Sequence, residues 1–164
     1  MVISRIHRVI GRMDSEESMK TKHNNVDKWD SMQMPTHSSY VPKLPLLIWD
    51  GKCGFCKYWV TRWQKITSDK VQYIPYQDIQ EQIDEIPEQA FKQAVRMIET
   101  NGKIYSGAHA AYRTLYYSSR WSFLLSWYEK SALFKAINDA SYKLIAHNRP
   151  VLLKLTKTFF GKNP

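Results

Sequence analysis

The sequence predicts an α/β fold, one mixed sheet flanked by helices, with a helical extension at the C-terminal end. Three observations predict it. Short apolar segments stand where strands would pair, apolar residues recur every three or four positions between them, and turn residues mark the joints. The chain has 164 residues, 43% of them hydrophobic and 13% aromatic, which suits one domain with a substantial core.

Leu44-Pro-Leu-Leu-Ile-Trp49 is an apolar run bounded by Pro42 and by Asp50-Gly51, the pattern of a buried strand ending in a turn. From Gly54 to Ile66 the positions Phe55, Trp59, Val60, Trp63 and Ile66 step by three and four, so an amphipathic helix is predicted. Val71–Tyr76 reads as a second strand, and a short helix should open at Pro87. Ala94–Glu99 and Lys103–Tyr105 flank Asn101-Gly102, the strongest short signal for a hairpin. A helix is predicted over Ala108–Tyr117. Two or three more fill Trp121–Phe160, with breaks at Ser131 and Pro150. Leu133, Ile137, Ala140 and Leu144 supply one apolar face there, expected to pack on the domain while the lysines meet water. A βαβ unit followed by a ββα unit is the thioredoxin-like arrangement.

Residues 44–164 are therefore read as the folded domain and residues 1–43 as a disordered or targeting leader. Met13–Ser39 shows no sustained period. Met1–Arg12 has three arginines, no acid and apolar residues at helical spacing, as an organelle import peptide does. Asp14, Glu16 and Glu17 follow at once, however, so the cytoplasm is the expected compartment, with mitochondrial or plastid import as the alternative. No apolar run approaches the ~20 residues of a membrane-spanning helix.

The net charge of +9 is uneven: +2 over residues 1–43, −1 over 44–100 and +8 over 101–164. In that last stretch Arg113, Arg120, Lys130, Lys135, Lys143, Arg149, Lys154 and Lys157 interleave with Trp121, Trp127, Tyr128, Tyr142 and Phe159. A peripheral membrane or an acidic partner is an open reading for this third, and nucleic acid is not expected. Arg149, before Pro150, is read as a structural cation at a helix end.

The candidate chemistry lies elsewhere. Cys53 and Cys56 are the only cysteines, three positions apart, where the first strand gives way to the first long helix. A helix N-terminus presents free N–H groups and a positive dipole end, both of which favour a thiolate, and Lys52 and Lys57 should push the same way. Cys53 is then the nucleophile and Cys56, one turn deeper, the resolving thiol of a dithiol–disulfide exchange. Gly54 allows a substrate backbone to come close, and Phe55 and Trp49 frame an apolar contact surface. Asp50, three residues before Cys53, is either a proton carrier for the resolving thiol or a turn residue that caps the helix start. Zinc binding needs ligands the sequence does not supply in a finger spacing, and haem attachment needs a histidine where Lys57 stands. No cofactor or metal is expected. Two inert core cysteines, in a thioredoxin-fold binding protein that no longer turns over or in a basic membrane or nucleic-acid adaptor, remain the alternative.

Trp49-Asp50-Gly51-Lys52-Cys53-Gly54-Phe55-Cys56 resembles the Asp-Gly-x-Cys-x-x-Cys signature of the DCC family of thiol-disulfide oxidoreductases. Asn101–Tyr105 followed by Ala110 is similar to that family's hairpin and the start of its next helix. Asn138-Asp139, Tyr142 and Ala146-His147-Asn148-Arg149 are similar to its C-terminal signature, so the likeness runs from about Leu46 to Gly161. The resemblance implies a thioredoxin-like fold and Cys53 and Cys56 as the redox pair with Asp50 beside them; a disulfide-containing protein or a low-molecular-weight thiol is the expected substrate of such a pair. One departure from ordinary thioredoxins is visible: they carry a proline just before the third strand, where Gln93-Ala94-Val95 has none.

Overall fold

The computed structural model describes residues 34–160. The expectations for residues 1–33 lie outside the described residues. Four strands are described, β1 (Leu46–Trp49), β2 (Gln72–Pro75), β3 (Arg96–Ile98) and β4 (Ile104–Ser106), in the order β2-β1-β3-β4. β1 runs parallel to β2, with Leu47 opposite Tyr73, and antiparallel to β3, with Leu47 opposite Met97; β3 and β4 form the antiparallel hairpin. The mixed sheet is thus thioredoxin-like, as its sequence predicts.

Six α-helices are described: α1 (Gly54–Thr67), α2 (Glu88–Gln93), α3 (Gly107–Tyr116), α4 (Phe123–Lys130), α5 (Ala132–His147) and α6 (Arg149–Phe160). Side chains alternate across a strand, so Leu47, Trp49 and Met97 share one face of the sheet. They join Val60 of α1 and Ala110 of α3 in one buried cluster, completed by Val71 and Val95. The other parity, Leu46, Ile48, Arg96 and Ile98, is equally buried. On that side the Arg96 guanidinium donates to Ala90 O at 3.2 Å and to Ser106 Oγ. β1 is buried on both faces, which explains its unbroken apolar run and its central place.

The hairpin tip follows its turn chemistry. Gly102 has φ +80, a conformation that costs an L-residue about 1–2 kcal/mol, and Asn101 Oδ1 accepts from Lys103 N–H at 3.0 Å. The segment just before β1 also lies along this hairpin. Ser38 N–H donates to Gly102 O, and Ile104 N–H donates to Thr36 O, both at 2.8 Å. The chain is therefore hydrogen-bonded to the sheet ahead of Leu44, where the folded part was expected to begin.

The last third differs from expectation in two ways. The break between the final helices falls at Asn148, not Pro150, which sits in the first turn of α6, where a missing N–H costs nothing. The apolar face of α5 also points outward: Leu133 is 72%, Ile137 56% and Leu144 67% exposed. The inward side of α5 carries polar groups that satisfy buried partners. Tyr112 O–H donates to Asn138 Oδ1 and Tyr128 O–H to Asp139 Oδ1, each at 2.6 Å, and Tyr142 Oη accepts from Val95 N–H at 3.2 Å. Satisfying those groups outweighed burying the leucines. No helix among the described residues is long and apolar enough to cross a membrane.

Candidate functional site

The site is built at the joint between β1 and α1. Asp50-Gly51-Lys52 forms a tight turn in which Cys53 N–H donates to Asp50 O at 3.0 Å. Asp50 Oδ1 accepts from Lys52 N–H at 3.0 Å and from the Gln77 amide at 2.9 Å, an arrangement that holds the turn closed. Cys53 follows as the N-cap of α1, with extended backbone and its carbonyl accepting from Lys57 N–H at 2.9 Å. Its Sγ occupies the position a serine or aspartate oxygen takes in an ordinary cap and accepts from Cys56 N–H at 3.2 Å. Both cysteines are partly exposed and both are free thiols.

The two sulfurs ionise very differently. Hydrogen bonding from the Cys56 thiol is the largest influence on Cys53. With the Cys56 N–H and the positive charge of Arg149, it brings Cys53 from the ordinary 9.0 to about 6, against the opposing effect of burial. Cys56 moves the other way: donating to Cys53, burial and the neighbouring thiolate all push its thiol far up, and Asp50 adds to this. Cys56 packs against the same buried cluster as Trp63, Tyr73 and Tyr142, so its sulfur faces a drier environment than Cys53. At neutral pH the pair is therefore one thiolate and one thiol, the division of labour that exchange through a mixed disulfide requires.

The cation at the site is not the one expected. Lys52 and Lys57 are exposed. The positive group that reaches the dithiol is Arg149, whose Nη1 lies 4.0 Å from Cys53 Sγ although 96 positions separate the two. Arg149 is the first residue of α6, where a cation is disfavoured by the helix dipole. Its guanidinium turns away from α6 to the last residues of α2, donating to Lys92 O at 2.8 Å and to Gln93 O. Those carbonyls end a helix, lack helical partners and carry partial negative charge, so the guanidinium joins an α2 C-terminus to a thiolate at the α1 N-terminus. The reading of Arg149 as a cation closing a helix is thus corrected: it opens one, and it belongs to the site. Its signal in the sequence was the Asn148-Arg149 pair, but no spacing rule links position 149 to position 53.

Other expectations are met in part. Phe55 is half-buried, edge-on to Trp59 with ring centroids 6.4 Å apart. Trp49 lies in the core at 8% exposure and frames no contact surface, because strand alternation turns it onto the inner face. Gly54 is closely approached, but by Leu153 of α6: a Cβ at Gly54 would stand 3.2 Å from Leu153 Cδ2. The segment before β3, where thioredoxins carry their proline, holds the Arg149 guanidinium on its carbonyls and the Tyr142 hydroxyl on Val95 N–H. No group of three or more His, Cys, Asp or Glu side chains among the described residues is placed to hold a metal ion.

Comparison with curated proteins and with solved structures gives no match. A family model does match: that of the DCC1-like thiol-disulfide oxidoreductases, over residues 47–155. The matched stretch begins inside β1, contains the whole turn and dithiol, and ends beyond Arg149. With well over half its length so matched, the chain belongs to the DCC1-like thiol-disulfide oxidoreductase family, and its chemistry is of the thiol–disulfide redox class.

Proposed function

We propose that the protein exchanges disulfides through Cys53 as nucleophile and Cys56 as resolving thiol, acting as a disulfide reductase towards protein or low-molecular-weight disulfides. The observation that carries this reading is the position of Cys53 Sγ, capping α1 at 3.2 Å from Cys56 N–H and facing the Arg149 guanidinium. The Cys53 thiolate attacks one sulfur of the substrate disulfide; a mixed disulfide forms and the other substrate sulfur leaves as a thiolate that takes a proton from water. Cys56 then gives up its proton and attacks Cys53 Sγ. The Cys53–Cys56 disulfide forms and the second substrate sulfur departs, so the substrate gains two electrons and the dithiol loses two. A dithiol reductant restores the starting state, and the same steps in reverse oxidise a dithiol substrate.

Asp50 is assigned as the acceptor of the Cys56 proton, since its charge acts on the Cys56 thiol. Arg149 is assigned as the group that holds Cys53 ionised before it attacks the substrate.

The experiment is mixed-disulfide trapping. Cys56→Ser should accumulate a covalent adduct with insulin or another protein disulfide through Cys53, resolved by added dithiol, while Cys53→Ser should form none. Absence of the adduct together with a Cys53 thiol titrating near 9 would overturn the assignment.

A further inference from the structure

Soluble domains turn helical apolar stripes inward, and α5 does the reverse. Leu133, Ile137 and Leu144 recur at intervals of four and seven, so they share one stripe, and that stripe is exposed along a helix of about 24 Å. At the α4–α5 junction it continues into Trp127, 60% exposed and edge-on to Phe134 with centroids 6.2 Å apart. A face of this extent needs an occupant.

The charges around it identify the occupant. Lys130 ends α4 beside Trp127, and Lys143 is exposed on α5 at the margin of the stripe. Residues 101–164 contain only two carboxylates, Glu129 and Asp139, and both are engaged. Glu129 pairs with Arg113 and His109 at 3.1 Å, and Asp139 pairs with Lys135 at 2.6 Å. Asn138, Asp139 and Tyr142 of α5 are committed inward, which leaves Ser141, Lys143 and His147 as exposed polar side chains beside the stripe. What remains outward is apolar surface with an aromatic end and a cationic margin. A specific protein partner asks for many directed donors and acceptors, whereas this face is mainly apolar with a cationic margin. A second copy of the chain would set cation against cation. An anionic lipid surface asks only for burial of apolar side chains at the headgroup boundary and for nearby positive charge.

We infer that the α4–α5 face docks on an anionic phospholipid surface, with Trp127, Leu133, Ile137 and Leu144 entering the interface and Lys130 and Lys143 meeting the headgroups. The helices lie on the membrane and do not cross it. This docking is independent of the redox reading, since the stripe contains no site residue.

Full-length protein should co-sediment with vesicles of phosphatidylcholine and phosphatidylserine in equal parts, at least tenfold more strongly than with phosphatidylcholine alone, and less strongly as salt rises. Ile137→Asp with Leu144→Asp should abolish co-sedimentation while circular dichroism, melting temperature and exchange with a small disulfide stay unchanged. Lys130→Gln with Lys143→Gln should weaken it roughly thirtyfold. Wild-type protein that ignores the mixed vesicles overturns the proposal, as does undiminished binding by the aspartate variant. A dimer in sedimentation equilibrium that the aspartate variant dissociates would give the face to a second copy and likewise overturn it.

Discussion

At the scale of single residues, the site turns on how one sulfur is kept ionised. Cys53 gains a hydrogen bond from each side of Cys56 and a guanidinium held by two carbonyls, so its environment favours charge before any substrate arrives. Arg149→Met keeps the length and apolar stem of the side chain while removing the charge. It should raise the Cys53 titration midpoint by about one pH unit, read by thiolate ultraviolet absorbance, and cut the rate of mixed-disulfide formation at pH 6 about fivefold through the lost thiolate fraction. Lys at that position should restore part of the effect, since a point charge cannot grip both carbonyls and the sulfur. A rate unchanged by Arg149→Met would make the contact incidental.

Asp50 offers a cleaner separation of roles. Asparagine retains the oxygen that accepts from Lys52 N–H and Gln77, so a residue needed only to close the turn should tolerate Asp50→Asn. As the proton acceptor for Cys56, it should not. The expected result is unaltered attack by Cys53 with resolution slowed about tenfold or more, seen as a mixed disulfide that lingers in a rapid-quench time course.

At the scale of elements, the position of the dithiol depends on the β1–α1 joint and on two anchors for the sheet beside it. The hairpin anchor can be tested directly. Gly102 needs its positive φ, and a Cβ there would stand 3.0 Å from Ser38 O, backbone that itself pairs with the tip. Gly102→Ala should destabilise the protein by about 1–2 kcal/mol, measured by urea unfolding, without moving the Cys53 midpoint. The second anchor is α6. It reaches the site through Arg149 and Leu153 at its first turns, so the start of α6 covers the mouth of α1.

At the scale of the whole molecule, the ionised cysteine links stability to pH. The folded-state value for Cys53 is about 6 and the ordinary value 9.0. Between those limits the unfolded chain holds a proton that the native state lacks, so native stability rises with pH across that window. The contribution is complete near pH 9 and is lost as pH falls through 6. Above 9 the raised Cys56 thiol acts with the opposite sign, because the unfolded chain then gives up a proton that the native state keeps. Reduced wild-type protein should therefore gain melting temperature from pH 6 to 9 relative to Cys53→Ala, and equal gains in the two proteins would refute the linkage. The +8 of residues 101–164 is a second property of the whole molecule: it includes Arg149 beside Cys53 but rests mostly on other residues, so salt should affect surface binding more than exchange with a small neutral disulfide.

Local rules were enough to read the strand that ends in Asp50-Gly51, the helix that starts beside Cys53, the Asn101-Gly102 hairpin and the mixed sheet they imply. In each case the periodicity, turn residue and cap concern neighbours within a few positions. Arg149 at Cys53, Leu153 at Gly54, Trp49 in the core and the outward stripe of α5 were decided by tertiary structure alone. A guanidinium finds a thiolate 96 positions away because two helix ends happen to meet there. An apolar stripe faces water because the polar side of its helix is claimed by Tyr112, Tyr128 and Val95. Hydrophobic spacing tells that a helix has two faces; which of them turns inward depends on the hydrogen bonds waiting on the surface it meets.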